Sequence, residues 1–343
     1  MKRLLAFILT LALLTTALVG CGSKETKDDG EQGNEVITLT INTITGNYRD
    51  ELVDYIAKTV PEKTDGRIQI SVLPAGSMGD ERELVESAQM DSIDMVLTAD
   101  ALIATVVSEL GWINLPGIVS NYDEADEAFF GNGWIYDAVA NVCENNGLVK
   151  LGAFDNGFRT VGATKEIENP EDLKGVKIRC GSSNTTIFFY QYLGCLPSSI
   201  SSAEILSALE SGTIDATDNS VTNFVANGLQ DNINTVSLLY YSYSAGSVLI
   251  NQDKWNTISE EDQKIIKQVV EEACAEQVTS NRAYSEQLLK EYSDSGKWTV
   301  YANNDAMQKA INEASLATVK EFRSTYDAEV MDKIASILND KLA

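Results

Sequence analysis

Apolar and polar residues alternate through 36–42 (VITLTIN), which predicts a half-buried strand at the start of the folded body. Leu52, Val53, Ile56 and Val60 then recur at helical spacing through YRDELVDYIAKTV, with Pro61 directly behind, and predict a helix over 48–60. The order repeats: RIQISVLPA reads as strand, DERELVESAQ as helix and SIDMVLTA as strand. Alternation of this kind implies a largely parallel sheet with helices on its faces. Ligands on such sheets sit at the carboxyl ends of strands, so 42–47, 76–81 and 98–100 are where a site is expected.

A second block begins near Asp155. Asn169 and Pro170 make a cap and first-turn pair for a short helix, EDLKG, that Gly175 stops. Residues 176–179 then form a brief strand that delivers Arg179 to its C-terminal end. Ser201 and Glu204 have capping-box spacing ahead of Ile205, Leu206 and Leu209, with Gly212 as the stop, and 214–219 is the next strand and loop. From Ser259 to about Tyr292 runs a helical pattern with acids in its first turn, longer than the usual globular helix. It is either a brace between two lobes or a surface helix of one. An amphipathic stretch over 307–342 closes the chain, and no repeat of solenoid period occurs.

Ahead of this body, Lys2 and Arg3 precede an apolar run over 4–20 broken only by Thr10, Thr15 and Thr16, the pattern of an export signal. It ends in Leu18, Val19, Gly20 and Cys21, which resembles the lipobox of bacterial lipoproteins, and Cys21 is read as the lipidated mature N-terminus. About 17 apolar residues lies at the short edge of what spans a bilayer. Two lipid signals would anchor the protein on the outer face of the cell membrane without crossing it. Residues 22–35, GSKETKDDGEQGNE, hold no large apolar side chain and are expected to be a flexible tether.

At 343 residues the chain is long enough for two lobes, and 26 Lys plus Arg against 51 Asp plus Glu give a formal charge of −25, which argues against a nucleic-acid partner. Histidine is absent, which removes Ser/His/Asp and Cys/His catalysis and His-based metal sites together. No metal, cofactor or P-loop is expected. Cys143, Cys180, Cys195 and Cys274 allow three disulfide pairings between which the sequence does not choose, and none has CxxC spacing.

Arg179 is the first candidate for chemistry, because a guanidinium is always charged and its planar fork matches a carboxylate. With acids outnumbering bases so heavily, a structural salt bridge is the stronger reading on pattern alone. Arg159, in Asp155-Asn156-Gly157-Phe158-Arg159, is a second cation at a strand end, and Asn219 offers a donor and an acceptor at another. Phe188, Phe189, Tyr190 and Tyr192 have the spacing of a helix core, whereas Tyr240, Tyr241 and Tyr243 lead into a strand, where one or two could line a pocket. Glu81, Asp100 and Asp218 lie in separate loops, so an acid/base hydrolase carries little weight.

Taken in order, Gly157-Phe158-Arg159, then Asn169 through Arg179 (NPEDLKGVKIR), then Leu193-Gly194, then Glu204, Ala208, Leu209, Gly212 and Asp215 resemble a known family. The string is similar to the DctP-type solute receptor of tripartite ATP-independent periplasmic (TRAP) transporters, whose pattern runs GFR, P-DLKG-KIR, LG and E-ALxxG-D. MGDERELVESAQMDSIDM and INLPGIVSNYDEA fit its register upstream, and the likeness covers most of 37–290. Met90 and Asp91 stand where a glycine is usual, and Gly117, Ile118 and Val119 replace an aromatic-rich segment.

The resemblance implies an α/β periplasmic-binding-protein (Venus flytrap) fold: two lobes, each a twisted mixed sheet, with a long helix spanning both. Lobe I is expected over 36–155 plus about 245–285, and lobe II over 156–244 plus about 286–343. The arginine of KIR, Arg179, would hold a ligand carboxylate, with Arg159 as supporting donor and Asn219 and Asn42 as polar contacts. Register alone adds Glu81, Thr98 and Tyr241. The implied function is capture of an organic acid outside the cytoplasm and its delivery to TRAP membrane subunits, without catalysis. The alternatives are a binding lipoprotein of an ABC-type or sensor system, and behind it a surface hydrolase.

Overall fold

The computed structural model describes residues 36–44 and 47–342; the export segment, Cys21 and the tether lie outside the described residues. Two mixed sheets organise the chain. The first has the order β2-β1-β3-β10-β4, built from β1 (Ile37–Asn42), β2 (Ile68–Val72), β3 (Met95–Ala99), β4 (Leu148–Phe158) and β10 (Tyr243–Asn251). β1 runs parallel to β2 and β3, while β10 runs antiparallel to β3 and β4. Successive side chains of a strand point to opposite faces. Met95, Leu97, Val248 and Ile250 accordingly enter one apolar cluster with Leu52, Ile56 and Val60 of the helix Asn47–Lys63. Val96 and Leu249 enter another, with Leu84, Val85 and Ala88 of the helix Glu81–Gln89. Helices on both faces explain why β3 and β10 are buried at every position.

The second sheet has the order β11-β9-β5-β8-β6-β7, from β5 (Thr160–Ala163), β6 (Lys177–Arg179), β7 (Leu196–Ser198), β8 (Ala216–Asn219), β9 (Thr235–Leu238) and β11 (Thr299–Ala302). One face buries Phe189, Tyr190, Met307 and Ile311, the other Phe224, Leu288 and Trp298. The capping boxes at Asn169/Asp172 and Ser201/Glu204 are both formed, each opening a short 3-10 turn.

The chain passes between the sheets four times, the last time between the helices Asp305–Glu321 and Ala328–Leu342. β4 leads into β5 at Arg159, and 239–242 carries it back from β9 to β10; there the Arg159 amide donates to the Ser242 carbonyl at 2.9 Å. The third passage is the helix Glu260–Asp294, whose 35 residues span about 52 Å. Ile266, Val269, Val270 and Ala273 pack into the first lobe, and Leu288 into the second. The 307–342 stretch is two helices, Asp305–Glu321 and Ala328–Leu342. The last of these corrects the expected division. Met331, Ile334 and Leu338 join the first lobe's cluster, and the Lys341 ammonium reaches the Glu124 carboxylate at 2.6 Å. Amphipathic spacing shows that a helix has a face to bury but not which lobe receives it.

The start of the long helix carries a testable charge effect. The Ser259 side chain accepts from the Asp262 amide, and Arg67 donates to the Asp262 carboxylate through Nη2 at 2.8 Å and Nε at 3.1 Å. The hydrogen bond from Arg67 holds the Asp262 carboxyl below the usual carboxylate range. A depressed folded pKa means stabilisation that is full above the unfolded value of about 3.9 and lost as pH falls through the lower, folded one. Asp262→Asn is therefore expected to cost about 1.5 kcal/mol at pH 7. Urea unfolding of the two proteins should show that gap narrowing below about pH 4.

Candidate functional site

A cavity of about 860 Å³ opens where the two sheets face one another. The first lobe contributes Arg49, Glu81, Asp100 and Phe129; the second contributes Arg179, Asn184, Asn219 and Asn223; the crossings contribute Asn156, Arg159, Ser242 and Ser244. β6 is only three residues long and ends at Arg179, so the KIR string projects its guanidinium from a strand's carboxyl end.

Arg179 is held by neutral oxygens: Nε donates to the Ile200 carbonyl at 3.0 Å, and Nη2 stands 3.5 Å from the Ser202 hydroxyl. Among the described residues no carboxylate lies within ion-pairing distance of it. Burial, and then the like charge of Arg159, lower its pKa. Arg159 is in a different state. Its Nε donates to Asp218 Oδ1 at 2.9 Å and its Nη2 to the Asp218 carbonyl at 2.8 Å. Burial works against the Arg159 charge, but the Asp218 carboxylate more than restores it, so its pKa lies above the ordinary arginine range. Asp218 is fully buried, and its second oxygen accepts from the Tyr241 hydroxyl at 2.6 Å.

Four of the seven expected side chains, Arg179, Arg159, Asn219 and Glu81, line this cavity. The Asn219 oxygen accepts from the Ser220 amide at 2.9 Å. Glu81 Oε1 accepts from the Ala99 amide at 3.0 Å and from Arg49. The other three lie elsewhere. Tyr241 is buried behind Arg159, stacked on Phe189 with ring centroids 4.5 Å apart. Asn42 donates to the Pro74 carbonyl at 2.9 Å and lines a separate pocket of about 140 Å³. Thr98 is fully buried on β3, two residues short of Asp100, which does reach the cavity. Position along a strand is legible from register, but which face a side chain takes changes with every residue.

Sequence reasoning passed over Arg49, Asn156, Asn184 and Asn223. Arg49 carried a signal in hindsight: it is a base in the first turn of the helix that follows the 42–47 loop, and it is almost wholly buried. Burial also accounts for the cysteines. All four described cysteines are buried free thiols, and lack of solvation pushes each up to about 12.

The profile of DctP, bacterial extracellular solute-binding protein family 7, matches residues 45–325. The uncharacterized protein YiiZ of Salmonella typhimurium is 30% identical over 188 residues, 54% of this chain and 57% of that protein. The C4-dicarboxylate-binding protein DctB of Bacillus subtilis is 25% identical over 302 residues, 85% of each chain. The crystal structure of a TRAP periplasmic solute-binding protein from Ralstonia eutropha H16, with bound (S)-2-acetolactate, superposes with a TM-score of 0.79 at 24% identity, covering 88% of this chain and 99% of that one. With the profile spanning most of its length, the chain belongs to the DctP family of TRAP solute-binding proteins.

Proposed function

We propose that this chain is an extracytoplasmic receptor that closes on an organic acid, holds its carboxylate on Arg179 and delivers it to TRAP membrane subunits, tethered to the membrane through a lipid on Cys21. The observation that carries this reading is a half-buried guanidinium on a cavity of ligand size, with no carboxylate partner among the described residues. An anion leaving water for such a cavity loses hydration, and the loss is offset where a fixed cation waits. Charge-assisted hydrogen bonds contribute roughly 1.5–3 kcal/mol each, so a bidentate contact aided by Arg159 and Asn219 supports a micromolar complex of about −8 kcal/mol. The overall charge of −25 repels anions, but screening over about 8 Å leaves the nearby arginines in control.

Closure is a hinge motion about the crossings, and ligand favours the closed form only as far as it binds that form more tightly. Native mass spectrometry of freshly purified protein tests the reading. An intact small acid is expected to co-purify and to be displaced, unaltered, by excess carboxylate. Chemical conversion of the acid on incubation would instead support a hydrolase, and retention of a neutral or cationic solute would point to a receptor of another system.

A further inference from the structure

The small pocket of about 140 Å³ beside Asn42 lies on the first lobe and shares no lining residue with the large cavity. Its polar lining is all oxygen-bearing or amide: Asn42 at the end of β1, Thr43 directly after it, and Asp50 and Asp54 of the helix Asn47–Lys63. No basic side chain lines it. Residues four apart share one helix face, so the two carboxylates repel one another across the pocket wall. Burial, and then the like charge of Asp54, raise the Asp50 pKa, against the opposing pull of Arg49. Asn42 supplies the independent sign of a ligand. It is 1% exposed, and its Nδ2 donates to the Pro74 carbonyl at 2.9 Å and lies 3.2 Å from the Ser77 hydroxyl. A carbonyl only accepts, so the amide nitrogen is fixed on that side and the oxygen is the end left over. Asn42 Oδ1 is buried and has no hydrogen-bond partner. Such an atom costs stability until a donor or a cation meets it.

We propose that Asn42 Oδ1 and the carboxylates of Asp50 and Asp54 bind a calcium ion, which fastens the start of the helix Asn47–Lys63 to the end of β1. A water molecule would satisfy the amide oxygen but leave the two carboxylates facing each other; a divalent cation meets all three at once. Oxygen donors without nitrogen or sulfur select a hard cation. Ca²⁺ fits better than Mg²⁺, because ligands drawn from a strand end and a helix face form an irregular set, and Mg²⁺ demands near-ideal octahedral geometry and gives up water reluctantly. A water's share of liquid volume is about 30 Å³, so the pocket has room for an ion and the few waters that complete its shell. Among the described residues no third acid joins the pair, which places the affinity in the weak range of extracellular calcium modules, a dissociation constant of about 0.1–1 mM.

Equilibrium dialysis of the purified protein against radiolabelled Ca²⁺ tests this. Wild type is expected to take up a single saturable Ca²⁺ and to prefer it to Mg²⁺ by at least about fivefold. Asp54 is exposed, so Asp54→Asn removes a ligand without disturbing the core, and it should weaken Ca²⁺ binding by about tenfold or more. A chain of charge −25 also attracts cations without any site. Glu276→Gln separates the two effects: it removes the same charge from an exposed position on the long helix and should leave the affinity within about twofold. In ¹⁵N-labelled protein the side-chain amide resonance of Asn42 should shift with added Ca²⁺ along the same saturation curve. Absence of saturable binding below about 10 mM, an Asp54→Asn affinity within about twofold of wild type, or an equal loss in Glu276→Gln overturns the inference. So does an equal affinity for Mg²⁺ or an Asn42 resonance that stays in place.

Discussion

Replacing Arg179 by alanine is expected to weaken binding of the native acid by about 100- to 1,000-fold while leaving the empty protein as stable as before, or slightly more so. The first effect follows because truncating one side of a desolvated charge pair costs about 2–5 kcal/mol, much of it from the anion left unpaired. The second follows from the unliganded geometry. Arg179 is held by a carbonyl and a distant hydroxyl, and both burial and the Arg159 charge lower its pKa, so the empty protein carries a cation that its surroundings disfavour. Removing it relieves that cost. Opposite signs for affinity and stability mark a binding residue, whereas a structural salt bridge would lose both together. Lysine at 179 should recover only part of the affinity, because an ammonium cannot reproduce the bidentate fork. Calorimetry and thermal unfolding on the same preparations check both signs. An Arg179→Ala protein that binds normally, or that unfolds several degrees lower, defeats the assignment.

The distinction between Arg179 and Arg159 also marks where sequence ran out. Both sit in motifs that placed them at strand ends, and the structure puts both on the cavity. What separates them is Asp218, 59 positions from Arg159 in the chain yet bonded to it at 2.9 Å. Local pattern does not contain such a pairing. Strands, caps and the long helix were legible because periodicity and capping residues act within a few positions. The capping boxes at Asn169 and Ser201, for example, need only residues three apart. Asn42, Thr98 and Tyr241 fell short because a residue's depth and face depend on the packing of distant elements. Arg49 was missed for the same reason: its role rests on Glu81, 32 positions away. The lobe of the final helix, too, rests on distant partners: Met331, Ile334 and Leu338 pack in the first lobe's cluster and Lys341 docks on residues 117–124.

The second large effect is expected at Asp155, where the long helix is fastened to the crossing strands. Asp155 lies on β4 with no exposed surface, and its carboxylate accepts from Asn281 Nδ2 at 2.7 Å, from Arg282 Nε at 3.0 Å and from the Tyr243 hydroxyl. Its backbone is clamped as well: the amide donates to Gln277 Oε1 and the carbonyl accepts from Gln277 Nε2, both at 2.8 Å. Three side chains of one helix thus converge on a single residue of the passage between lobes. The nearby return crossing holds Tyr240 at a φ of +46°, a left-handed conformation that surrounding contacts must maintain. One of those contacts is the Phe158 ring, stacked at 4.8 Å. Asp155→Ala leaves Arg282 with the Asp126 carboxylate at 2.6 Å as its one remaining ion pair among the described residues, and strips Asn281 and Tyr243 of the carboxylate that accepts from them. Breaking one side of a buried pair costs about 3–5 kcal/mol, and equilibrium urea unfolding should show a loss of that size. Arg282→Met alone should cost about as much, because it leaves the buried Asp155 charge short of its cation. The double variant should cost less than the sum, by roughly 1–3 kcal/mol, if the two act as one unit. Strict additivity would mean that the helix is held by its apolar stripe, Val269, Val270 and Ala273, and not by this cluster. The clamp lies beside Asn156 and Tyr243, which line the cavity, so its loosening should also reach the ligand: Asp155→Asn is expected to release bound acid faster than wild type.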